Sequence, residues 1–356
     1  MLYLAIDQHS KQLTVNVRDE SGQVILRKQV STRDDAPREF LMKLSEQAGS
    51  EGYAAIVEVC GFNDWLLDLL PQHGCREIVL IHPGKPGKRK TDRRDANQLG
   101  ETLWLNRQRL ASGQRVQGLR RVNIPSVKER EQRRLTGMRQ RIGQERTRIL
   151  NRIQTLLRRH NLQHSCPTKT LQTNRARTWL EQLALPALDR FELNQLLLRW
   201  KLLEQEREAI NALIDQHLAE SPDAKLLLSL PGAGAFTALA LAAHVGDITR
   251  FPRPRSLANY WGLTPTCHNS GEKHQRLGSI SKEGAVLPRF LLGQLLLHVF
   301  KRDGKLKAWY LNLKRRRGSK IGRVAVMRRL CTIIWHMLTH RELYCYGGKR
   351  HKELIV

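Results

Sequence analysis

The first 112 residues alternate in a way that admits few folds. LYLAID (2–7), LTVNVRD (13–19) and QVILRKQV (23–30) read as strands, and a turn at Glu20, Ser21 and Gly22 separates the last two. The period of two predicts a three-strand meander. Residues 35–48 then carry a helical pattern with Phe40, Leu41 and Leu44 on one face. YAAIVEV (53–59) reads as a buried strand, followed by a helix through Trp65, Leu66, Leu69 and Leu70. REIVLIHP is the next strand, GKPGKRKTD a loop, and a helix is expected from Asp92 to about Arg109. The predicted order is βββαβαβα, an α/β domain.

Four carboxylates fall at telling places in that order. Asp7 closes the first apolar run, Glu58 closes YAAIVE, and Asp92 and Asp95 stand in KTDRRDANQL at the head of a helix. A side chain at the C-terminal edge of a strand is aimed at the mouth of an α/β sheet, where ligands bind. Asp92 and Asp95 are three residues apart, so they share a helix face and can meet the strand acids. An acid near a helix start also complements the helix dipole and caps exposed N–H groups, so capping stands beside ligation for Asp92. For Asp7, a buried acid with no charge partner would be costly, which favours ligation. The element order is that of the ribonuclease-H fold. The four acids together predict a phosphoryl-transfer site that binds one or two Mg²⁺ ions; paired ions in such sites lie roughly 3.5–4 Å apart.

Charge sets the partner. The chain has 61 Lys and Arg against 33 Asp and Glu, a formal charge of +28. That balance predicts a polyanion, with nucleic acid first and an anionic membrane or a ribosomal-type structural role as alternatives. Acids gathered at strand ends in such a chain are not explained by solubility. There is no apolar run near 18 residues and no signal-peptide pattern, so a membrane location is not expected and a cytoplasmic one is. The six cysteines are scattered with no CxxC pair. They read as reduced, mostly buried thiols with no zinc site.

Beyond residue 112 the character changes. From Arg115 to His160 there are 14 Lys or Arg against 3 Asp or Glu. Leu135, Met138, Ile142, Ile149, Ile153 and Leu156 recur at helical spacing, which predicts a long amphipathic helix with a basic outer face carrying Arg133, Arg134 and Arg141. A second helix is expected over about 192–218, where Leu196, Leu203 and Ile210 repeat every seven residues with Trp200 and Leu213 between them. The pair reads as an antiparallel hairpin, a coiled-coil dimer contact or a plain helical core. Residues 161–180 read as the connection. The expected organisation is a nuclease domain at 1–112, a basic coiled-coil-like helical region at 113–222, and a mainly helical C-terminal domain at 223–356. Within the last, helices are expected over about 287–302 and 321–339.

Two C-terminal segments add chemistry. In PGAGAFTA (231–238), Gly232 and Gly234 would let backbone N–H groups approach a phosphate at a helix start. The turn resembles that of helix-hairpin-helix DNA binders; an ordinary interhelical turn is the alternative. In NSGEKHQR, Ser270 lies beside a glycine with Lys273, Arg276 and Lys282 nearby. A hydroxyl among cations can attack a charge-neutralised phosphate; a solvated turn serine is the alternative.

Nearly the whole chain resembles one family. The resemblance runs through AIDQHSK with Asp7, VEVCGFNDW with Glu58, KTDRRDANQL, LPGAGAFTAL, LANYWGLTP, HNSGEKHQRLGSISKEG and MRRLCTIIWHML. These motifs, in this order, are similar to the DEDD transposases of bridge-RNA-guided insertion sequences, whose nuclease half is similar to the RuvC-type Holliday-junction resolvases. The resemblance implies that Asp7, Glu58, Asp92 and Asp95 bind Mg²⁺. It implies that Ser270, on a separate C-terminal domain, attacks the scissile phosphate and becomes covalently linked to DNA. It implies as partners double-stranded DNA, a structured bridge-type noncoding RNA, and further copies of the chain in a dimer or tetramer, in a bacterial cytoplasm and at the nucleoid when bound to DNA. Asn269 stands where subgroup members often carry a second serine before the nucleophile. A DNA invertase of the same fold and a junction resolvase using only metal-activated water are the alternative activities, and a noncatalytic nucleic-acid binder is a third.

Overall fold

Two antiparallel hairpin steps begin the chain. β1 (Leu2–Gln8) pairs with β2 (Gln12–Arg18), and β2 pairs with β3 (Val24–Ser31). The computed structural model describes residues 1–82, 92–114, 116, 119–268 and 276–346. It divides into two compact units, Met1–Ile124 and Pro125–Val356.

In the first unit, α1 (Ala36–Ala48) carries the chain back so that β4 (Tyr53–Glu58) lies parallel to β1. Pro37 sits in the first turn of α1, where a missing N–H costs nothing, and Phe40, Leu41 and Leu44 face the sheet. α2 (Asp64–Gln72) then returns to β5 (Cys75–Ile81), parallel to β4. The five-stranded sheet has the order β3-β2-β1-β4-β5. β1 and β4 are central and buried on both faces, which is why they read as nearly continuous apolar runs. One face, with Leu4, Ile6, Tyr53, Ala55 and Val57, packs on α1 and α2. The other, with Tyr3, Ala5, Ala54, Ile56 and Val79, packs on Leu99 and Leu103 of α3 (Asp92–Leu105). The helix expected to reach Arg109 breaks at Asn106, whose Nδ2 donates to Thr102 O, and α4 (Arg107–Ala111) follows. Arg120 and Val122 then return to the β5 edge, bonding His82 and Leu80 through the main chain.

The second unit is helical around a long hairpin. α5 (Val127–Arg159) opens with a reciprocal cap: Ser126 Oγ accepts from Glu129 N at 3.2 Å, and Ser126 N donates to the Glu129 carboxylate at 2.9 Å. The connection expected at 161–180 contains the start of a helix, α6 (Asn174–Gln182), which Thr173 caps. α7 (Ala187–Ala219) then packs against α5 along Leu193, Leu196, Trp200, Leu203, Ile210 and Ile214. Leu213, expected in that seam, is 47% exposed, and so is Met138 at 40%. The adjacent residue Ile214 is buried in place of Leu213, and Leu135 and Ile142, one turn to either side, in place of Met138.

α8 (Pro222–Leu227) and α9 (Ala235–Val245) flank the PGAG turn, and α10 (Pro254–Tyr260) follows. A two-stranded ladder, β6 (Pro265–His268) with β7 (Arg276–Ile280), brackets the segment that holds Ser270 and Lys273, which lie outside the described residues. α11 (Val286–Arg302), α12 (Gly304–Arg317) and α13 (Ser319–His340) complete the unit. α12 was not expected, although Leu306, Trp309, Tyr310 and Leu313 recur at helical spacing amid its Lys and Arg; Asp303 caps it by accepting from Leu306 N at 3.0 Å. Among the described cysteines only Cys331 is fully buried, so the thiols are less buried than expected.

Candidate active site

Parallel pairing brings the first two acids together. The β1–β4 register runs from Leu2 opposite Tyr53 to Ile6 opposite Val57. One step further places Asp7 beside Glu58, at the C-terminal edge of adjacent strands. Alternation puts both on the α3 face, with Tyr3, Ala5 and Ile56. Asp7 is 8% exposed, and His9 Nε2 lies 3.2 Å from its Oδ2.

α3 brings Asp95, and the backbone of Asp92, toward the same edge. Its C-terminal half lies at the start of β1: Leu103 lines a small cavity with Met1 and Tyr3, and Trp104 Nε1 donates to Glu20 O at 3.0 Å. Midway, Asn97 Oδ1 accepts from Asn16 Nδ2 at 3.3 Å, and Asn16 lies opposite Ala5. Gly100 permits this approach, because a Cβ there would come within 2.6 Å of Asn16 Oδ1. From Asn97 the helix runs toward the strand ends at about 1.5 Å per residue. Asp95 is therefore about 3 Å and the Asp92 backbone about 7.5 Å beyond Asn97. Asp7 lies about 6.6 Å beyond Ala5 along its strand. Asp92 and Asp95 bracket the level of Asp7. Asp95 is half-buried one turn before Leu99.

Several residues that the sequence did not single out build the edge. Asn63 Nδ2 donates to Glu58 O at 3.0 Å and to Gln8 Oε1 at 2.8 Å, while Gln8 Nε2 donates to Phe62 O at 3.0 Å. This clamp ties the loop after Glu58 to the end of β1 and so fixes one acid relative to the other. Thr14 is directly opposite Asp7 and 3% exposed, and its Oγ1 has no hydrogen-bond partner among the described residues. The only advance signal was adjacency: Gln8 follows Asp7, and Asn63 sits in the motif that contains Glu58.

The donor set suits a hard divalent cation. Carboxylate oxygens and an unsatisfied buried hydroxyl at one sheet edge match the ligand chemistry of Mg²⁺ or Mn²⁺, not that of a thiolate-seeking metal. Among the described residues, no group of three or more His, Cys, Asp or Glu side chains is already drawn close enough to hold an ion.

Comparison with known proteins decides the family. A family model for DEDD transposases of the IS110 type matches residues 4–162, the stretch that contains all four acids. A second, described as the IS116/IS110/IS902 transposase family, matches residues 224–311. The chain belongs to the IS110 family of DEDD transposases. Relatives agree along its length. The transposase for insertion sequence element IS1111A from Coxiella burnetii is 29% identical over 93% of this chain and 87% of its own. The putative transposase y4pF/y4sB from Sinorhizobium fredii is 28% identical over 90% of this chain and 80% of its own. A probable family 20 transposase from Pseudomonas aeruginosa is 28% identical over 64% and 69%. The protein is thus an insertion-sequence transposase, an enzyme whose partner is DNA. A DEDD transposase implies divalent-metal chemistry. No helix among the described residues is long and apolar enough to cross a membrane.

The second unit of this IS110-family transposase places the remaining candidates differently. Arg134 and Arg141 are exposed one heptad apart on α5. Arg133 turns inward, its Nε donating to Ala243 O at 2.8 Å near the end of α9. There, burial first and the Arg133 charge second push His244 down to about 4, so it is neutral. Gly232 has φ 82°, and a Cβ there would lie 2.3 Å from the His298 ring. Its identity is demanded by packing. Gly234, the N-cap of α9, has open space where a Cβ would be. Lys282 is exposed at φ 56°. Arg276 is placed through its backbone on β7.

Proposed function

We propose that the first unit is a RuvC-like nuclease domain in which Asp7, Glu58, Asp92 and Asp95 hold Mg²⁺, and that Ser270 of the C-terminal domain is the nucleophile. The observation that carries the metal half is the shared edge: two adjacent parallel strands present Asp7 and Glu58 on the face to which α3 directs Asp95. When bound, Mg²⁺ supplies charge stabilisation to the phosphoryl oxygens. The chain's own part is to hold the carboxylates in register through the Gln8–Asn63 clamp and to deliver a hydroxyl. The Ser270 Oγ–P bond forms as one P–O bond to deoxyribose breaks, and the departing oxygen takes up a proton as a hydroxyl. The phosphoserine then preserves the energy of the bond for rejoining.

The resemblance of the C-terminal motifs supports the serine, and that of the whole chain supports guidance by a bridge-type RNA. Base pairing would then read sequence while the protein reads backbone. We place the organisation at 1–112, 113–222 and 223–356, with Arg134, Arg141, Lys273, Arg276 and Lys282 contacting phosphates and Gly234 admitting one at the start of α9. Assembly as a homo-oligomer is supported by an apolar stripe on α7 that faces away from α5. It comprises Leu188 (79% exposed), Phe191 (62%), Leu198 (63%) and Leu202 (54%) at heptad spacing.

One experiment separates the rivals. The purified protein is incubated with element-end DNA and Mg²⁺, with and without the RNA that copurifies with it. Products are resolved on denaturing gels before and after proteolysis. We expect DNA covalently attached to protein, absent from Ser270→Ala, and dependent on RNA. Free cleaved ends with no attached protein would favour the resolvase reading. RNA independence would remove the guide.

A further inference from the structure

A second cavity opens at the same sheet edge, on the side opposite α3. It holds about 530 Å³, within the roughly 300–1,000 Å³ range of small-ligand clefts. His9, from the β1–β2 turn, lines it and also lies 3.2 Å from Asp7 Oδ2, so the cavity and the acid edge share a wall. Phe62 and Trp65 form one side and stand 47% and 39% exposed. Leu69 also lines the cavity. Asp34 and Asp35 supply the polar side, with Arg38 3.9 Å from Asp35.

This chemistry is wrong for a phosphate. Two carboxylates outnumber one guanidinium, in a chain that carries +28 and leaves arginines exposed elsewhere. It is right for a base. Exposed aromatic faces stack any nucleobase, and ionised carboxylates only accept hydrogen bonds, so they select rings that carry amino groups. The phosphates would pass at the metal edge while a base turns away from them.

We infer that this cavity receives one unpaired nucleobase of the DNA strand held at the acid edge, stacked on Trp65 and Phe62 with its exocyclic amino group donating to Asp34 or Asp35. The inference rests on the proposed metal edge for the position of the strand, and it adds a base-reading site next to the reacting phosphate. Thymine, which has no amino group, is the disfavoured occupant.

The test uses full-length protein and single-stranded 12-mers of dC and dT, one dC in the first replaced by 5-iodocytosine for photocrosslinking. Mass spectrometry of the crosslinked protein should identify Phe62 or Trp65. Affinity for the dC 12-mer should fall about ten-fold in Trp65→Ala, the scale of losing one stacked base, and recover in Trp65→Phe. Preference for dC over dT should vanish in Asp34→Asn/Asp35→Asn. Both aromatics are substantially exposed, so the alanine variants should fold, which circular dichroism checks. Crosslinks confined to other residues, or unchanged affinity in Trp65→Ala, would overturn the proposal. Asp7→Asn, run in parallel, keeps the two ideas apart. Loss of its DNA cleavage without crosslinks at Phe62 or Trp65 in the wild type sinks the base site alone. Crosslinks there with full cleavage by Asp7→Asn support the base site and sink the metal edge.

Discussion

Asp7 in the first unit and Glu204 in the second are equally buried, each 8% exposed, yet Glu204 is ringed by guanidiniums whereas Asp7 has the His9 ring 3.2 Å away and a second acid on the neighbouring strand. Glu204 sits between α5 and α7 among Arg146, Arg177 and Arg207, and accepts from Trp200 Nε1 at 3.0 Å. Arg177 also lies over the Trp200 ring at 4.3 Å. Burial alone would raise the Glu204 carboxyl, but the hydrogen bonds from Arg146 and Trp200, with the nearby guanidinium charges, outweigh it and hold the pKa below its ordinary value. At Asp7 the adjacent strand brings another carboxylate, and the facing helix directs a third toward the same edge. One acid completes an electrostatic network within the fold. The other, in the site we propose, belongs to a set that a divalent cation would complete. Burial of an acid therefore says little about its role until the charge of its neighbours is known.

The largest expected effect lies at the first acid. Asp7→Asn should cut DNA strand cleavage about a thousand-fold, the kinetic equivalent of some 4 kcal/mol of transition-state stabilisation. Its melting temperature should not fall. A melting temperature lowered by ten degrees would make Asp7 a structural acid like Glu204 and erase the contrast.

Glu204→Gln should do the reverse, lowering unfolding free energy by about 2 kcal/mol because it leaves the partly buried guanidiniums of Arg146, Arg177 and Arg207 without their counter-charge. The sign of its pH dependence follows from the depressed pKa. The contribution is fully present above the unfolded-state value of about 4.3 and is lost as pH falls through the lower folded-state value. Urea unfolding of wild type and Glu204→Gln should differ at pH 7, and the difference should shrink steadily as pH falls below about 4.3. A gap that widens in acid would contradict this account.

The paired glycines come next. Gly232→Ala should destabilise by about 2 kcal/mol through its positive φ and the His298 ring, whereas Gly234→Ala should cost well under that. Equal losses would mean that the turn is not held as described. The smallest effect is expected on the α5 surface. Arg134→Gln/Arg141→Gln should leave stability unchanged and reduce the salt slope of nucleic-acid binding by about two, one phosphate per arginine.

The sequence made the first unit far more legible than the second. β1 and β4 were readable because strands buried on both faces are apolar throughout and end where polarity returns, at Asp7 and Glu58. The approach of α3 was readable only as far as Asp92 and Asp95, three apart on one helix face. The clamp of Gln8 on Asn63 was not, since a side-chain amide bridging residues 55 apart leaves no local period. In the second unit, adjacent apolar residues such as Leu213 and Ile214 offer no choice between faces until α5 is in place. α12 carries a short helical period in Leu306, Trp309, Tyr310 and Leu313 that the surrounding Lys and Arg obscured, and α6 lay hidden in a polar stretch that Thr173 caps.

The central claim is that carboxylates from two strands and one helix jointly hold a divalent cation. Calorimetric titration of Mg²⁺ into the full-length protein, in wild type and in Asp7→Asn, Glu58→Gln and Asp95→Asn, tests it most directly. We predict saturable binding by the wild type and an affinity at least about ten-fold weaker in every variant, since each removes a charged ligand from the same ion. Wild-type affinity retained in all three variants would contradict it.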